Sequence, residues 1–234
     1  IYQSVVDFVE MYNELLGGIN DIVYEQKQKG FEALTDDEKA AMTAEQIKTW
    51  EENAQKGILR NDALLMGARN NMRTIIYSPV SGIGSQMIDG RKQTLNSLFA
   101  IGLKTGDYST NGKLEIDEAK LKKYIAADPE AVNKIINGGY NADGTRTEGV
   151  ADKLYDSLKE SMDKINDKSG AASGGKEITS TLSKQIANNK KAISAKVTRY
   201  NNQMATYYKQ FDAMEKLLQQ LQSQQESLYN YLGG

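Results

Sequence analysis

The chain has 234 residues, with 29 lysines and arginines against 31 aspartates and glutamates, and a formal net charge of -2. It contains neither histidine nor cysteine, which excludes disulfide bonds, thiolate nucleophiles and the zinc sites and general bases built from these residues. No apolar run is long enough for a membrane-spanning helix or a signal-peptide core, so the sequence predicts no membrane insertion.

Residues 1–57 predict one long helix followed by a polar helical insertion. Residues 1–24 form an amphipathic helix of the core domain, because apolar residues recur at spacings of three and four: Val5, Val9, Tyr12, Leu16, Ile19 and Val23. Residues 25–57 are polar and have few apolar anchors. We expect this insertion to contain two short helices.

The two short helices are predicted from their start signals. Thr35 is followed by Glu38, and Thr43 by Gln46, which is the spacing of a capping box at a helix N-terminus. The second helix should direct Ile47 and Trp50 inward, with the tryptophan as a packing anchor.

Residues 58–167 predict a core domain with helices and a small β-hairpin. A helix over residues 61–78 ends at Pro79, and residues 79–94 are expected to be a loop. Residues 97–115 predict a small β element, in which the apolar run at residues 98–101 leads into Leu103. Asn111 with Gly112 predicts a hairpin turn before Leu114 and Ile116.

Three further helices complete this predicted core domain. Asp117 should cap one that runs to about residue 126, and Pro129 should occupy the first turn of the next, which ends near residues 138–139. The last helix is predicted over about residues 150–165. Residues 168–176, rich in Gly and Ser, read as a flexible linker, and residues 177–234 as a coiled-coil leg.

The leg carries a heptad pattern that gives the candidate interaction site. Positions 193 to 232 that step alternately by four and three are apolar except Gln225, which indicates a sustained coiled-coil seam. A rod of this length needs partner helices to cover its apolar side. The seam residues are Ile193, Val197, Tyr200, Met204, Tyr207, Phe211, Met214, Leu218, Leu221, Leu228 and Leu232.

Charge is unevenly distributed along the leg. Residues 176–209 hold seven basic side chains against the single carboxylate of Glu177. Because these charges are spread over many turns and the whole chain is slightly acidic, we interpret them as a solvated face or a complement to a protein partner. Nucleic acid is not predicted as a partner.

Residues 107–118 resemble a calcium-binding EF-hand loop in the spacing of their oxygen-bearing side chains. Asp107, Ser109, Asn111 and Glu118 fall at ligand positions, and Gly112 at the turn position. An EF-hand needs a preceding helix and usually a paired loop, and the sequence predicts neither. A turn at Asn111 and a helix cap at Asp117 explain the same residues, so no metal and no cofactor are predicted.

No catalytic constellation emerges, and an enzyme is not predicted. The expected fold is mainly α with a small β element, an α+β core domain, plus a long C-terminal coiled-coil helix.

Several stretches, taken in order, resemble the flagellar filament cap family, also called flagellar hook-associated protein 2. The similar stretches cover nearly the whole chain: residues 4–16, 34–39, 42–51, 57–62, 95–102, 111–117, 127–132 and 149–151, and the tail ending in Leu-Tyr-Asn-Tyr-Leu at residue 232.

The resemblance implies a structural subunit rather than an enzyme. Members of the family form a ring, usually a pentamer, at the filament tip, where they promote insertion of exported flagellin. They leave the cell by the flagellar type III path, and an export chaperone is expected to bind the C-terminal helix. The expected partners are therefore other copies of the chain, flagellin and this chaperone, and the expected location is the extracellular flagellum tip.

Two alternatives stay open from the sequence. Another flagellar hook-associated protein, at the hook–filament junction, would have similar long helices. An adhesin-like binding module of the flagellar tip, dependent on Ca²⁺ at residues 107–118, is the other alternative.

Overall fold

The computed structural model describes residues 1–88, 90–106, 110–141, 143–170 and 180–233. It confirms a mainly α fold with small antiparallel hairpins and a long C-terminal helix. The chain divides into two compact units, residues 1–165 and 166–234. The helices and strands that begin in the first unit are α1 (Tyr2–Tyr24), α2 (Asp36–Ala40), α3 (Ala44–Gln55), α4 (Ala63–Tyr77), β1 (Ser85–Ile88), β2 (Arg91–Thr94), β3 (Leu103–Thr105), β4 (Leu114–Ile116), α5 (Glu118–Ala127), α6 (Pro129–Asn137), β5 (Gly139–Tyr140), β6 (Arg146–Thr147) and α7 (Val150–Ser169).

One hydrophobic core organises the first unit around α1. The six apolar residues that predicted this helix are all buried, as is Phe8, which the pattern did not include. They pack with buried side chains from α4, the hairpins, α5, α6 and the start of α7: Met72, Ile76, Val80, Ile88, Leu95, Leu98, Ile101, Leu103, Leu114, Leu121, Val132, Ile135, Ile136, Val150 and Leu154.

Asn13 joins α1 to the hairpin formed by β3 and β4. Its side-chain amide nitrogen donates to the Leu114 carbonyl at 2.9 Å, and its carbonyl oxygen accepts from the Leu114 N–H at 2.7 Å. Leu114 lies in a two-stranded sheet, so one of its sides has no neighbouring strand. The Asn13 amide satisfies both backbone groups on that side and fixes the hairpin against the helix.

A buried polar contact joins α1 to α4. The Arg69 Nε donates to Asn20 Oδ1 at 2.7 Å, and both residues are buried. The Arg69 guanidinium carbon also lies 5.4 Å from the centre of the Tyr24 ring, within the range of a cation–π contact.

The polar insertion contains the two short helices that the sequence predicts. Both capping boxes are formed, at Thr35 for α2 and at Thr43 for α3. Trp50 packs edge-on against Phe31 with ring centres 4.8 Å apart, and its Nε1 donates to the Glu32 carbonyl at 2.8 Å. The predicted inward residues Ile47 and Trp50 are only half-buried, and neither helix contains a buried residue.

The predicted loop at residues 79–94 is wrong. It contains the hairpin of β1 and β2, whose register pairs Ser85 with Thr94 and Ile88 with Arg91. The pattern did not reveal these strands because Ile88 is their single buried residue, so the apolar alternation of a half-buried strand is missing.

The predicted β element at residues 97–115 is confirmed as the hairpin of β3 and β4, but its first strand begins at Leu103 and not in the apolar run at residues 98–101. This run forms turns, in which the Ala100 N–H donates to the Ser97 carbonyl and the Leu103 N–H to the Leu98 carbonyl. Leu98 and Ile101, three residues apart, are fully buried, which gives the run its apolar character without a strand. The strands lie further along, as β3 and β4.

The predicted turn at Asn111 and Gly112 is confirmed. Both residues have positive φ, 54° and 92°, and the Lys113 N–H donates to the Thr110 carbonyl at 3.3 Å. The predicted helix starts at Asp117 and Pro129 are confirmed as well, with Asp117 capping α5 and Asp128 capping α6.

The boundary between the predicted core and leg differs in detail from the sequence analysis. The helix α7 begins in the first unit and continues to Ser169, so it includes Lys168 and Ser169, which the sequence assigned to the linker. Residues 171–176 of that linker lie outside the described residues. The division into insertion, core, linker and leg at residues 25–57, 58–167, 168–176 and 177–234 stays a prediction.

Candidate functional site

The second unit consists mainly of α8 (Thr181–Tyr231), a helix of 51 residues. Ser180 starts it as an N-cap, with its hydroxyl accepting from the Ser183 N–H at 3.2 Å. The helix contains neither Gly nor Pro, so nothing in its sequence interrupts the backbone hydrogen bonds. At 1.5 Å per residue it is about 77 Å long.

Ten of the eleven predicted seam residues lie on one face of α8, and the eleventh, Leu232, is its C-cap. Their steps of three and four residues keep them within about one side of a 3.6-residue helical turn. Ten of the eleven are more than half exposed, from 52% for Val197 to 75% for Leu232, and Met204 is half-buried. An apolar face of this length, exposed to water on a single helix, has the character of an unpaired coiled-coil seam.

Two exposed apolar residues beside the seam were missed by the heptad analysis. Tyr208 is 65% exposed and Leu217 is 56% exposed, and each adjoins a seam residue in sequence. In the heptad they occupy the positions that flank the two seam positions. They widen the apolar face, which is typical of helices that contact more than one neighbour. Their adjacency to Tyr207 and Leu218 was the available signal.

The first half of α8 carries positive charge alone. Between residues 181 and 211 there are six basic side chains and no carboxylate: Lys184, Lys190, Lys191, Lys196, Arg199 and Lys209. Among the described residues, none of these six forms an ion pair. The charge that the sequence located on the leg is therefore exposed and unneutralised within the second unit.

The candidate calcium loop is only partly described. Asp107 and Ser109 lie outside the described residues. Of the other ligand positions, Glu118 accepts a hydrogen bond from Lys122 at 2.6 Å, and this contact is the first cause that lowers the pKa of the Glu118 carboxyl. The described residues contain no group of three acidic side chains placed to hold a metal ion.

No helix in the described part of the chain is both long enough and apolar enough to span a membrane.

Comparison with known proteins gives the family. The chain matches the family described as "Flagellar hook-associated protein 2 C-terminus" over residues 1–223. The flagellar hook-associated protein 2 of Halalkalibacterium halodurans is 28% identical over 250 aligned residues, which cover 98% of this chain and 44% of that protein. The protein of the same name from Thermotoga maritima is 28% identical over 230 residues, which cover 96% of this chain and 32% of that protein.

The chain thus spans less than half the length of either relative. No solved structure gave a significant match. The match to the family extends through α1 to α7 and most of α8, so it includes the core as well as most of the exposed seam. The chain therefore belongs to the flagellar hook-associated protein 2 family, in the region that forms its C-terminus.

Proposed function

We propose that this chain supplies the core domain and the leg of a flagellar filament cap subunit. In this proposal, subunits form a ring at the filament tip, as a pentamer in the manner of the family, and promote insertion of exported flagellin. The observation that carries the proposal is the exposed seam of α8 in a chain that belongs to the flagellar hook-associated protein 2 family. The role is structural, and we propose no catalysis.

The seam provides the driving force for assembly. Burying a large apolar side chain stabilises a contact by about 1.5–3 kcal/mol, before the entropy of association is subtracted. Ten seam residues are exposed over about 60 Å of helix, at 1.5 Å per residue. A partner helix that covers part of this face offsets the entropy that two helices lose when they associate.

The composition of the seam favours contacts that rearrange. Tyr200, Tyr207 and Phe211 are large, and Met204 and Met214 are flexible, whereas a fixed two-stranded coiled coil prefers β-branched residues alternating with Leu. A cap subunit must shift its contacts as each flagellin is inserted beneath it. We therefore propose two further partners, flagellin and an export chaperone that binds the C-terminal helix. We also propose that the subunit is exported by the flagellar type III path to the extracellular tip.

A seam substitution tests this function. We expect Phe211→Asp, in the full-length subunit, to abolish capping of flagellin filaments, because a charge buried in an apolar contact costs several kcal/mol. The matched control is Gln220→Asp, which adds the same charge on the opposite side of α8 and should cap normally. Capping is scored by electron microscopy of filament ends, and circular dichroism verifies that the core is folded.

Two results would reject the proposal. Normal capping by Phe211→Asp would show that the seam is not used. Absence of the wild-type subunit from filament ends, together with its presence at the hook–filament junction, would favour the junction alternative.

A further inference from the structure

Three cationic side chains come from the region where α1 packs against α4 and the hairpin of β3 and β4. Arg69 and Arg73 are one turn apart on α4, so their side chains are neighbours on one face. Lys113 comes from the hairpin loop, and a methyl group on Gly17 of α1 would lie 3.8 Å from its Cε. We define Arg69, Arg73 and Lys113 as the core cationic cluster.

The contacts of Arg69 and Lys113 place these two cations on one stripe of α1, and Arg73 lies beside the hairpin loop. Asn20, which accepts from Arg69, is three residues from Gly17, against which Lys113 lies. Residues three apart on a helix have neighbouring side chains, so Arg69 and Lys113 lie on adjacent turns. A methyl group on Gly112 would come within 3.2 Å of the Arg73 Nε, which puts Arg73 beside the same loop as Lys113.

No carboxylate among the described residues lies within ion-pair distance of the cluster. None of the three cations forms an ion pair with a carboxylate there, and the partners of Arg69 are the neutral Asn20 and the ring of Tyr24. Arg69 is only 7% exposed, so water compensates little of its charge. Like charges four residues apart on a helix also repel each other.

A buried hydroxyl on α1, two turns before Asn20, is likewise unpartnered among the described residues. Tyr12 is 3% exposed, and its hydroxyl has no hydrogen-bond partner among the described residues. Burial raises the pKa of Tyr12 to about 12, and the positive charges of Arg73 and Arg69 oppose that rise. The hydroxyl is therefore a neutral donor at physiological pH, on the face of α1 that also carries Asn20, the partner of Arg69.

We propose that the core cationic cluster, together with the Tyr12 hydroxyl, binds an oxyanion. A carboxylate or phosphate oxygen would accept from the phenol and from the arginine N–H groups, and it would neutralise charges that the fold has brought together. The ligand is a carboxylate of a protein partner or a free phosphate, since both present the same acceptor oxygens. This site lies in the first unit and does not depend on the proposed use of the seam.

Anion titration of the full chain tests the site. Thermal unfolding and calorimetry are followed during addition of sodium phosphate or sodium acetate, with sodium chloride at equal ionic strength as the reference. We expect saturable stabilisation beyond the chloride effect. Saturation by both anions would identify a carboxylate-accepting site, and saturation by phosphate alone a site for a tetrahedral anion.

Substitutions then assign the effect to these residues. Arg73→Gln should weaken anion binding about tenfold or more, because a charge-assisted hydrogen bond is lost, and Lys113→Gln should weaken it as well. Lys92→Gln, which removes one charge from the exposed face of β2, should leave the affinity unchanged. Circular dichroism confirms that each variant is folded.

Tyr12→Phe separates ligand binding from a packing role. Because the hydroxyl has no partner, its removal should leave the stability of the anion-free chain unchanged or raise it, while the affinity for the anion falls. The proposal is overturned if phosphate and acetate stabilise the chain no more than chloride. It is also overturned if Arg73→Gln, Lys113→Gln and Tyr12→Phe all bind the anion as tightly as the wild-type chain.

Discussion

The side chain of Asn13 takes the place of a third strand beside β4. Its side-chain amide accepts from the Leu114 N–H and donates to the Leu114 carbonyl. One amide thus satisfies two backbone groups at the edge of a two-stranded sheet. The sequence analysis did not identify it, because hydrophobic periodicity records apolar positions and carries no signal for a polar residue that contacts a strand 101 residues away. Asn20 and Arg69 were missed for the same reason.

We expect Asn13→Ala to lower the free energy of unfolding by about 1–3 kcal/mol, because both Leu114 backbone groups lose their partner in a half-buried position. Urea denaturation measures this change. Asn70→Ala, at an exposed position of α4, is the control and should shift stability by less than about 0.5 kcal/mol. Equal effects of the two substitutions would contradict the role of Asn13.

The Glu38 carboxylate gives a pH-dependent contribution at the start of α2. Hydrogen bonds from the Thr35 backbone N–H and then its hydroxyl lower the Glu38 pKa below the usual value of 4.5. A carboxyl with a lowered pKa in the folded state stabilises the fold at pH values above its unfolded pKa, and that stabilisation is lost as pH falls through the folded value.

Side-chain NMR titration should accordingly find the Glu38 midpoint below the usual value of 4.5. In Thr35→Ala the Glu38 midpoint should move upward, because the hydroxyl donor is lost. An unchanged midpoint in that variant would show that the Thr35 hydroxyl does not lower the Glu38 pKa.

Among the elements, helix starts were the most predictable feature. Thr35, Thr43, Asp117 and Pro129 each act within one turn of their own position, so local sequence is sufficient to locate them. The strands were not predictable in the same way. The residues of β1 and β2 are mostly exposed, and the apolar run at residues 98–101 is buried as a turn, so tertiary packing decided both outcomes.

The junction between α6 and α7 depends on two glycines in contact. A methyl group at Gly149 would overlap the Gly138 nitrogen and the Ile136 carbonyl oxygen. We expect Gly149→Ala to destabilise the core by roughly 1–3 kcal/mol, as overpacking does elsewhere, because backbone atoms cannot move aside as a flexible side chain would.

Gly18→Ala is the matched control for that substitution. A methyl group at Gly18 meets nothing within 4 Å, and the residue lies inside α1, where Ala is favoured over Gly by about 0.5–1 kcal/mol. The two substitutions should therefore have opposite signs in thermal or urea unfolding. Destabilisation by both would indicate that the space around Gly149 is not the cause.

At the scale of the whole molecule, the two units differ in what stabilises them. Residues 1–165 share one buried core, whereas in the second unit Ser180 is the single buried residue among those whose burial is described. The sequence indicated both parts, since the periodicity of α1 and the heptads of α8 are local patterns. It did not identify the partner of α8, because the residues that would cover the seam are not specified by the seam itself.

This difference predicts two unfolding transitions. The helicity of α8 should depend on protein concentration, because most of the stability of a long helix comes from packing of its apolar face. Thermal circular dichroism over a hundredfold concentration range should shift the first transition upward and leave the core transition in place. A single transition that does not respond to concentration would show that α8 is stable without a partner.

The carboxylate-free half of α8 sets a condition on how legs of neighbouring subunits run together. In the proposed ring, legs that run along the ring axis are parallel, so each lysine of one leg lies at the same height as that lysine in the next. Lysine and arginine keep their charge throughout the physiological range, and the mutual repulsion weakens only as dissolved ions shorten its reach to about 8 Å at 0.15 M. Association of such legs should therefore become stronger as the salt concentration rises. An interface held by opposite charges would show the reverse dependence.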